Sequence, residues 1–348
     1  MKLDIRESLQ SLTAYHVEES DWKIKLDANE KNGPMPLGVA EKVQQALSKV
    51  VLQRYPGSDE PLRGQIAAAY GLTAEQVALG CGSSEILLAL CIAFGGKGRK
   101  LVFPSPSFSM YEIYGRIADS QSVPVALADD FSLPVADYID AAKDAQLALL
   151  CNPNNPTGNG MALADVEKIV AALTCPVVVD EAYMEFYGET ALPLLNKYPN
   201  LIIARTLSKA YGLASARTGY MIASQELIEV VNKVLLPYHV NAFSLAAAEA
   251  VFSERSLFEA AIAATVKERQ ILTEKLSSIG VTVFPSQTNF LLVRLPRAEA
   301  LAAYLAEKSI AVRSFHGAPA LENCIRITVG TSKENEALLK EIVQFLEK

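Results

Sequence analysis

The chain has 348 residues, half of them apolar and a fifth charged, with a formal net charge of −7 at pH 7. This length and composition are typical of a globular protein with one large domain and a smaller one. An acidic chain is a poor match for duplex nucleic acid, and no apolar run approaches the roughly 18 residues of a membrane helix. The charged amino end and the five scattered cysteines predict a cytoplasmic protein with reduced thiols, and the sparse histidines predict no structural metal.

Short aliphatic runs in the middle of the chain predict buried strands. They are LVF at 101–103, LALL at 147–150, VVVD at 177–180 and LIIA at 201–204. Amphipathic stretches such as 161–173 lie between them and predict helices. This alternation predicts an α/β fold with a mostly parallel central sheet and helices on both faces. Ligands of such sheets bind at the carboxyl ends of the strands, so the residues that follow each run are the candidates for a site.

The pattern changes after about residue 245, where a long helical region is followed by several short strand-like segments and a terminal helix. This predicts a smaller α+β domain at the carboxyl end. We therefore divide the chain into an amino-terminal arm at 1–28, a large domain at 29–240 and a small domain at 241–348, with a hinge at 237–243.

Three small residues stand at the predicted start of a helix in CGSSEILLALCIAF, at 81–94: Gly82, Ser83 and Ser84. A plain helix cap explains this motif taken alone, and the alternative is a phosphate seat on the free N–H groups of the helix. Phe108, which follows the strand at 101–103, is either a core residue or a surface on which a flat ring stacks.

Polar side chains follow the next two strands. CNPNNPTGNG at 151–160 contains two X–Pro pairs, which predict a rigid turn that displays Asn155. Asp180 ends the next strand, and Tyr183 follows it. A strand that ends in Asp-Glu also occurs in magnesium-dependent nucleotide hydrolases, but these require a GxxxxGK[ST] phosphate loop, which the sequence lacks. A buried aspartate therefore needs another cationic partner, because burial alone would neutralise it.

The segment TLSKAYGLASARTGY, at 206–220, places Lys209 among small and hydroxyl side chains. Thr206, Ser208 and Arg217 could bind an anion jointly. The apolar surroundings and the nearby cation would lower the pKa of Lys209, which is how an amine becomes a nucleophile.

One ligand satisfies all of these segments together. It carries a phosphate for the serines and Arg217, a flat ring for Phe108, a phenolic oxygen, a ring nitrogen that Asp180 keeps protonated, and an aldehyde that forms a Schiff base with the lysine. That ligand is pyridoxal phosphate.

NNPTG, VVVDEAY, TLSKAYGLASARTGY and CIRITVGT, in this order, resemble the fold-type I, class II aminotransferases that depend on pyridoxal phosphate. LDANE at 26–30, RYPG at 54–57 and PYHVN at 237–241 are most similar to the histidinol-phosphate aminotransferases among them. The resemblance spans roughly residues 25–348. It implies a homodimer with shared active sites that moves an amino group between L-histidinol phosphate and 2-oxoglutarate in histidine biosynthesis.

The resemblance also implies a role for individual residues. Lys209 would hold the cofactor and then move a proton from the substrate Cα, Asp180 would hold the proton on the ring nitrogen, and Tyr183 would bind the ring oxygen. The other implied cofactor contacts are Asn155, Phe108, Gly82, Ser83, Ser84, Thr206, Ser208, Arg217 and, from the neighbouring subunit, Tyr55. The implied substrate contacts are Arg326, Arg313, Asn29 and Tyr15.

Two segments depart from the family pattern, TAYHVEES around Tyr15 and NEKNGPMP at 29–36. Both belong to the substrate side of the implied site. Threonine-phosphate decarboxylases of cobalamin synthesis and aromatic-amino-acid transaminases share the fold and nearly all of the cofactor residues, so both remain alternatives. A regulator built on a transaminase-like domain would need a DNA-binding domain, for which we find no room in the sequence.

Overall fold

The computed structural model describes residues 4–10, 12–14 and 21–348. Its strands, in chain order, are β1 (Ile24–Lys25), β2 (Val77–Cys81), β3 (Lys100–Ser105), β4 (Gln121–Ala126), β5 (Leu147–Cys151), β6 (Val177–Asp180), β7 (Leu201–Thr206), β8 (Thr218–Ile222), β9 (Thr282–Val283), β10 (Phe290–Arg294), β11 (Ile310–Ala311), β12 (Arg313–Ser314) and β13 (Cys324–Thr328).

The helices of the same residues are α1 (Glu7–Gln10), α2 (Val39–Leu47), α3 (Glu60–Tyr70), α4 (Gly82–Phe94), α5 (Met110–Ile117), α6 (Val135–Ala142), α7 (Leu163–Ala172), α8 (Met184–Tyr187), α9 (Gln225–Asn232), α10 (Ala242–Ser253), α11 (Glu259–Ser278), α12 (Ala298–Glu307) and α13 (Ser332–Leu346). Across these described stretches, the helices are too short or too polar to cross a bilayer.

The central sheet has seven strands in the order β2-β8-β7-β6-β5-β3-β4. β8 runs antiparallel to both of its neighbours, and the other pairs are parallel. The four strands predicted from aliphatic runs are confirmed as β3, β5, β6 and β7. Their alternate residues enter different cores, since Val177 and Val179 pack on one face of the sheet and Val178 on the other. This burial on both faces explains why these strands are aliphatic without interruption.

Helices cover both faces of this sheet. α3, α6, α7 and α10 contribute buried side chains to one core, and α4, α5 and α9 contribute to the other. α10 packs against α2 and α3, so the helix that follows the predicted hinge lies against the large sheet. The division of the chain at residue 241 stays a prediction.

A second, antiparallel sheet has the order β12-β13-β10-β9 and packs with α12 and α13. A short parallel pair, β1 with β11, brings the amino-terminal segment to this part of the molecule. Leu26 extends the contact, because its N–H donates to the Ala311 carbonyl at 2.9 Å and its carbonyl accepts from the Thr328 N–H at 2.8 Å. The chain then continues directly to the ligand edge of the central sheet.

The strand register brings the predicted site segments together. Cys151 lies opposite Asp180 and Asp180 opposite Ala204, so the turn after β5 and the end of β6 are neighbours. Thr206 at the end of β7 pairs with Gly219 at the start of β8. Because β8 is antiparallel, its amino end reaches the same edge as the carboxyl ends of the parallel strands.

Candidate active site

Lys209 follows β7 and points towards the amino-terminal segment. Its Nζ donates a hydrogen bond to the Ala28 carbonyl at 2.9 Å. Desolvation lowers the pKa of Lys209 to about 8, and the positive charges of Arg326 and Arg217 act in the same direction. About a tenth of this amine is therefore neutral at pH 7, far more than for an ordinary lysine, which agrees with the depressed pKa expected from the sequence.

Asp180 is buried at the end of β6, with 3% of its surface exposed. Its Oδ2 accepts a hydrogen bond from the Tyr111 hydroxyl at 2.9 Å, and Oδ1 accepts from the Ala182 N–H at 3.3 Å. Burial raises the pKa of Asp180 to about 6 in spite of these hydrogen bonds. A cation placed beside this carboxylate would lower that pKa again, so the pocket favours a positively charged ligand group.

The acidic residue next to Asp180 has a different partner. Glu181 forms an ion pair of 2.7 Å with Arg205, and both side chains are only 1% exposed. Arg205 also lies over the ring of Tyr70, with 4.8 Å from the guanidinium carbon to the ring centroid. Glu181 is thus neutralised by a buried arginine of the fold, whereas Asp180 is the carboxylate of the Asp-Glu pair that remains for a ligand.

Side chains from three distant segments meet around Tyr183. The side-chain amide of Asn29 donates to the Tyr183 hydroxyl at 2.9 Å. Arg326, on β13, donates from Nη1 to Oδ1 of Asn155 at 2.6 Å and from Nη2 to the Asp27 carbonyl. The second sheet therefore delivers its arginine to the turn that follows β5, next to the buried tyrosine.

A small cradle forms where α4 begins. Gly82 has a φ of +74°, and a Cβ at this position would lie 2.8 Å from Nη2 of Arg217, so glycine lets the guanidinium approach the helix start. Ser83 and Ser84 are half-buried in the first turn of α4. Free N–H groups, hydroxyls and a guanidinium are the donor set that binds a phosphate.

Two hydroxyls at the end of β7 are also fixed. The Thr206 hydroxyl donates to the Ser208 hydroxyl at 3.0 Å and accepts from the Ser208 N–H at 3.1 Å. Both residues are 5% exposed, and they lie three residues and one residue before Lys209. The backbone turn around the lysine is thereby held by its own side chains.

The remaining predicted residues lie at different distances from this cluster. Phe108 is half-buried and packs edge-on against Tyr111, with ring centroids 5.5 Å apart. Arg313 is exposed on β12 and pairs with Arg326 across the strands. Tyr55 is 78% exposed and is not part of the buried cluster. Tyr15 lies outside the described residues.

Two residues position the site in roles that the sequence did not indicate. Tyr111 is fully buried and holds Asp180, and its signal was its spacing of three residues from Phe108 at the start of a helix. A Cβ on Gly219 would collide with the backbone N of Ser83, so this glycine allows β8 to pass beside the start of α4. A lone glycine in the strand pattern of RTGYM was the available signal.

These groups fit pyridoxal phosphate in chemistry and in arrangement. The Gly82 cradle offers donors to a phosphate, the buried Asp180 favours a cationic ring nitrogen, and Lys209 offers a partly neutral amine to an aldehyde. All of them lie at one edge of one sheet, as the strand register requires.

Comparison with known proteins agrees with this arrangement. Residues 21–342 match the family model described as aminotransferase class I and II. The chain is 37% identical over 346 residues to a histidinol-phosphate aminotransferase of Thermoanaerobacter pseudethanolicus, covering 98% of both chains. It is 39% identical over 350 residues to histidinol-phosphate aminotransferase 1 of Carboxydothermus hydrogenoformans, again covering 98% of both.

A solved structure shares the fold over nearly the whole chain. The crystal structure of histidinol-phosphate aminotransferase from Sinorhizobium meliloti in complex with pyridoxal-5′-phosphate has a TM-score of 0.89 and 26% identity, covering 98% of each chain. The predicted α/β architecture and the resemblance seen in the sequence motifs are thereby confirmed. Fold, motifs and full-length similarity agree, and the chain belongs to the class I and II aminotransferases, whose cofactor is pyridoxal phosphate.

Proposed function

We propose that this aminotransferase transfers the amino group of L-histidinol phosphate to 2-oxoglutarate, so that imidazole acetol phosphate and glutamate are formed, as a cytoplasmic step of histidine biosynthesis. The observation that carries the proposal is the full-length similarity to relatives named for this reaction. Two arginines on the second sheet support it, because the two substrates present a phosphate and a carboxylate in turn, and a guanidinium binds either.

The cofactor, when bound, supplies an electron sink for the electrons of the substrate Cα–H bond. Lys209 would hold the cofactor through Nζ, and the same nitrogen would accept the proton from the substrate Cα. Its pKa of about 8 suits both roles, because an amine must be neutral to attack or to accept a proton, and must hold the proton long enough to return it.

Asp180 keeps the ring nitrogen of the cofactor protonated. A carboxylate that is 3% exposed and a ring cation beside it stabilise each other, so both stay charged near neutral pH. Tyr111 fixes the carboxylate at 2.9 Å. Tyr183 and Asn155 would bind the ring oxygen of the cofactor, and Phe108 would contact its ring.

The phosphate is bound by the start of α4 and by the segment around β7. Gly82, Ser83 and Ser84 supply the helix end, and Ser208 and Arg217 supply a hydroxyl and a charge, with Thr206 holding Ser208. Tyr55 completes the seat from the neighbouring subunit, which makes the protein a homodimer with shared active sites. Tyr55 is 78% exposed and stacks on the exposed Tyr238, and Leu52 and Leu236, which are close to this pair in sequence, are exposed as well, which supports an interface on this surface.

Substrate recognition falls to Arg326, Arg313 and Asn29, with Tyr15 as a further contact. Arg326 lies between Asn155 and the Asp27 carbonyl, close to the cofactor groups. Arg313 faces it across the β12–β13 pair and is open to solvent. We assign the carboxylate of glutamate to Arg326 and the phosphate of histidinol phosphate to the two arginines together.

Replacement of Arg313 tests this assignment. Arg313→Ala is expected to raise the KM for histidinol phosphate about tenfold and leave the KM for glutamate nearly unchanged, because one charged hydrogen-bonding partner is lost for the phosphate only. Arg326→Lys serves as the comparison and is expected to raise both constants, since an ammonium cannot replace bidentate binding. Equal constants in Arg313→Ala and wild type would identify Arg313 as a surface residue.

The reaction itself is tested by the visible absorbance of the purified holoenzyme during titration with L-histidinol phosphate in the absence of a keto acid. The yellow band of the lysine-bound cofactor is expected to disappear, and 2-oxoglutarate is expected to restore it, because the two half-reactions use the same site in turn. L-Threonine O-3-phosphate and L-tyrosine are titrated in parallel. Loss of the band with L-tyrosine and not with histidinol phosphate would transfer the assignment to the aromatic transaminase. Release of carbon dioxide from L-threonine O-3-phosphate, with the band retained, would transfer it to the decarboxylase.

A further inference from the structure

Glu85 lies in the first turn of α4, and one of its carboxylate oxygens has two partners. Oε2 accepts the backbone N–H of Cys81 at 2.5 Å and lies 2.6 Å from Nδ1 of His239. Burial alone would raise the pKa of Glu85, but the hydrogen bonds from His239 and Cys81 outweigh it, so the pKa lies below its ordinary value. Since an ionised carboxylate only accepts hydrogen bonds, Nδ1 of His239 carries a proton and donates it.

This contact joins two parts of the chain that are 154 residues apart. Cys81 immediately precedes the three residues Gly82–Ser84, here called the phosphate turn. His239 belongs to the segment at 237–241, which passes beside α4 before α10 begins. The carboxylate therefore ties the start of the phosphate turn to a distant segment, at the residue just before the left-handed Gly82.

The segment at 237–241 also contacts Tyr55, the residue of this chain that is proposed to serve the active site of the neighbouring subunit. Tyr238 stacks on Tyr55 with ring centroids 4.6 Å apart and an angle of 15° between the rings. Tyr238 has a φ of +59°, which is uncommon for a large side chain, so the contacts on either side of it must hold this conformation. A continuous path of contacts thus runs from the phosphate turn through His239 and Tyr238 to Tyr55.

We propose that Glu85 and His239 are positioning residues that hold the phosphate turn for the cofactor phosphate and, through Tyr238, hold Tyr55 for the neighbouring subunit. The inference rests on the proposed cofactor contacts of Gly82–Ser84 and Tyr55. If Glu85 acted only by its charge, removing it would strengthen phosphate binding, because a carboxylate in the same helical turn as the phosphate seat repels a phosphate dianion. If Glu85 positions the turn, removing it weakens binding. The direction of the change in cofactor affinity therefore distinguishes positioning from direct electrostatic repulsion.

Two pairs of variants make the test. Glu85→Ala and His239→Ala remove the contact. Glu85→Gln and His239→Asn are matched controls, because each amide keeps an acceptor oxygen or a donor nitrogen at the same number of bonds from the backbone. Dissociation constants are measured on cofactor-free protein for pyridoxal 5′-phosphate and for pyridoxal, which lacks the phosphate.

We expect both alanine variants to bind pyridoxal 5′-phosphate about tenfold more weakly and pyridoxal as wild type does. The two amide variants are expected to stay within about threefold of wild type for both ligands, because the hydrogen bond persists. Tyr238→Ala is expected to weaken binding of the phosphorylated ligand in the same selective way, since Tyr55 loses its support.

Tighter binding of pyridoxal 5′-phosphate by both Glu85 variants would show that the carboxylate acts by charge and would overturn the inference. An equal loss of affinity for both ligands would indicate general damage to the fold and would overturn it as well. Unchanged affinity in Tyr238→Ala would remove Tyr55 from the path. No amino donor takes part, so a failure of the histidinol phosphate assignment leaves the outcome of this measurement intact.

Discussion

Lys209→Ala is expected to abolish transamination, with a fall in kcat of at least about 10⁴-fold, while the protein keeps its fold. Two functions are lost together, because Nζ both attaches the cofactor and moves the proton from the substrate Cα. The structural cost is small, since the side chain makes one hydrogen bond, to the Ala28 carbonyl at 2.9 Å. The measurement is the rate of glutamate formation from 2-oxoglutarate, with circular dichroism and thermal unfolding as checks on the fold.

Lys209→Arg is the matched control, because it retains a cation but provides no neutral amine near pH 8. It is expected to be as inactive as the alanine variant and to lack the yellow band of the lysine-bound cofactor. Turnover near the wild-type value in either variant would contradict the assignment of Lys209. Loss of the thermal transition in both would instead show that the position is structural.

Asp180→Asn is expected to lower kcat by about 10²–10³-fold and, at the same time, to stabilise the cofactor-free protein at neutral pH. The loss of activity follows from the neutral amide, which cannot hold a proton on the ring nitrogen as a carboxylate can. The gain in stability follows from the burial of the carboxylate. The carboxylate of Asp180 thus lowers the stability of the cofactor-free protein and is required for the activity of the holoenzyme.

The direction of the stability change follows from the pKa. Burial raises the pKa of Asp180 from 3.8 to about 6. Between these values the folded state binds a proton that the unfolded state has lost, so the stability contribution of Asp180 falls as the pH rises through this window and stays low above it. A shift of this size corresponds to about 3 kcal/mol in the free energy of unfolding.

Urea unfolding of the cofactor-free wild type and Asp180→Asn at pH 4 and pH 7.5 checks this expectation. The two proteins are expected to have similar stability at pH 4, and the variant is expected to be the more stable at pH 7.5, by up to about 3 kcal/mol. Asp129→Asn, at an exposed position, provides the control and should show no such difference. A variant that is less stable than wild type at pH 7.5 would contradict the description of Asp180 as an unfavourably buried charge.

Much of the fold and the site could be predicted because the relevant information is local. Each aliphatic run is a strand buried on both faces. Asp180 ends one of these strands, and Lys209 lies three residues beyond the end of the next. Two of the strands that were missed, β4 and β8, lack this pattern. β4 lies at the edge of the sheet, contains a proline and has one buried residue, whereas β8 carries Thr218 and Gly219 in place of aliphatic residues.

The partners of the site residues were beyond local patterns. The Ala28 carbonyl that accepts from Lys209 is 181 residues away in sequence, and the Asn155 amide that accepts from Arg326 is 171 residues away. The pattern of apolar residues predicts that a strand is buried, but it predicts neither the direction of the strand nor the strands beside it. The position of Arg217 depends on both, because β8 must run against the parallel strands for its amino end to reach the ligand edge.

The antiparallel direction of β8 constrains the length of the loop that carries Lys209 and Arg217. Thr206 and Gly219 are paired, so everything between them is one short excursion that leaves the sheet and returns to it. That excursion carries the proposed nucleophile near its start and the proposed phosphate-binding guanidinium near its end. The length of this one loop therefore sets the distance between the proposed contacts to the two ends of the ligand. An insertion or deletion in this loop would therefore change the distance between the proposed attachment point of the cofactor and its proposed phosphate contact.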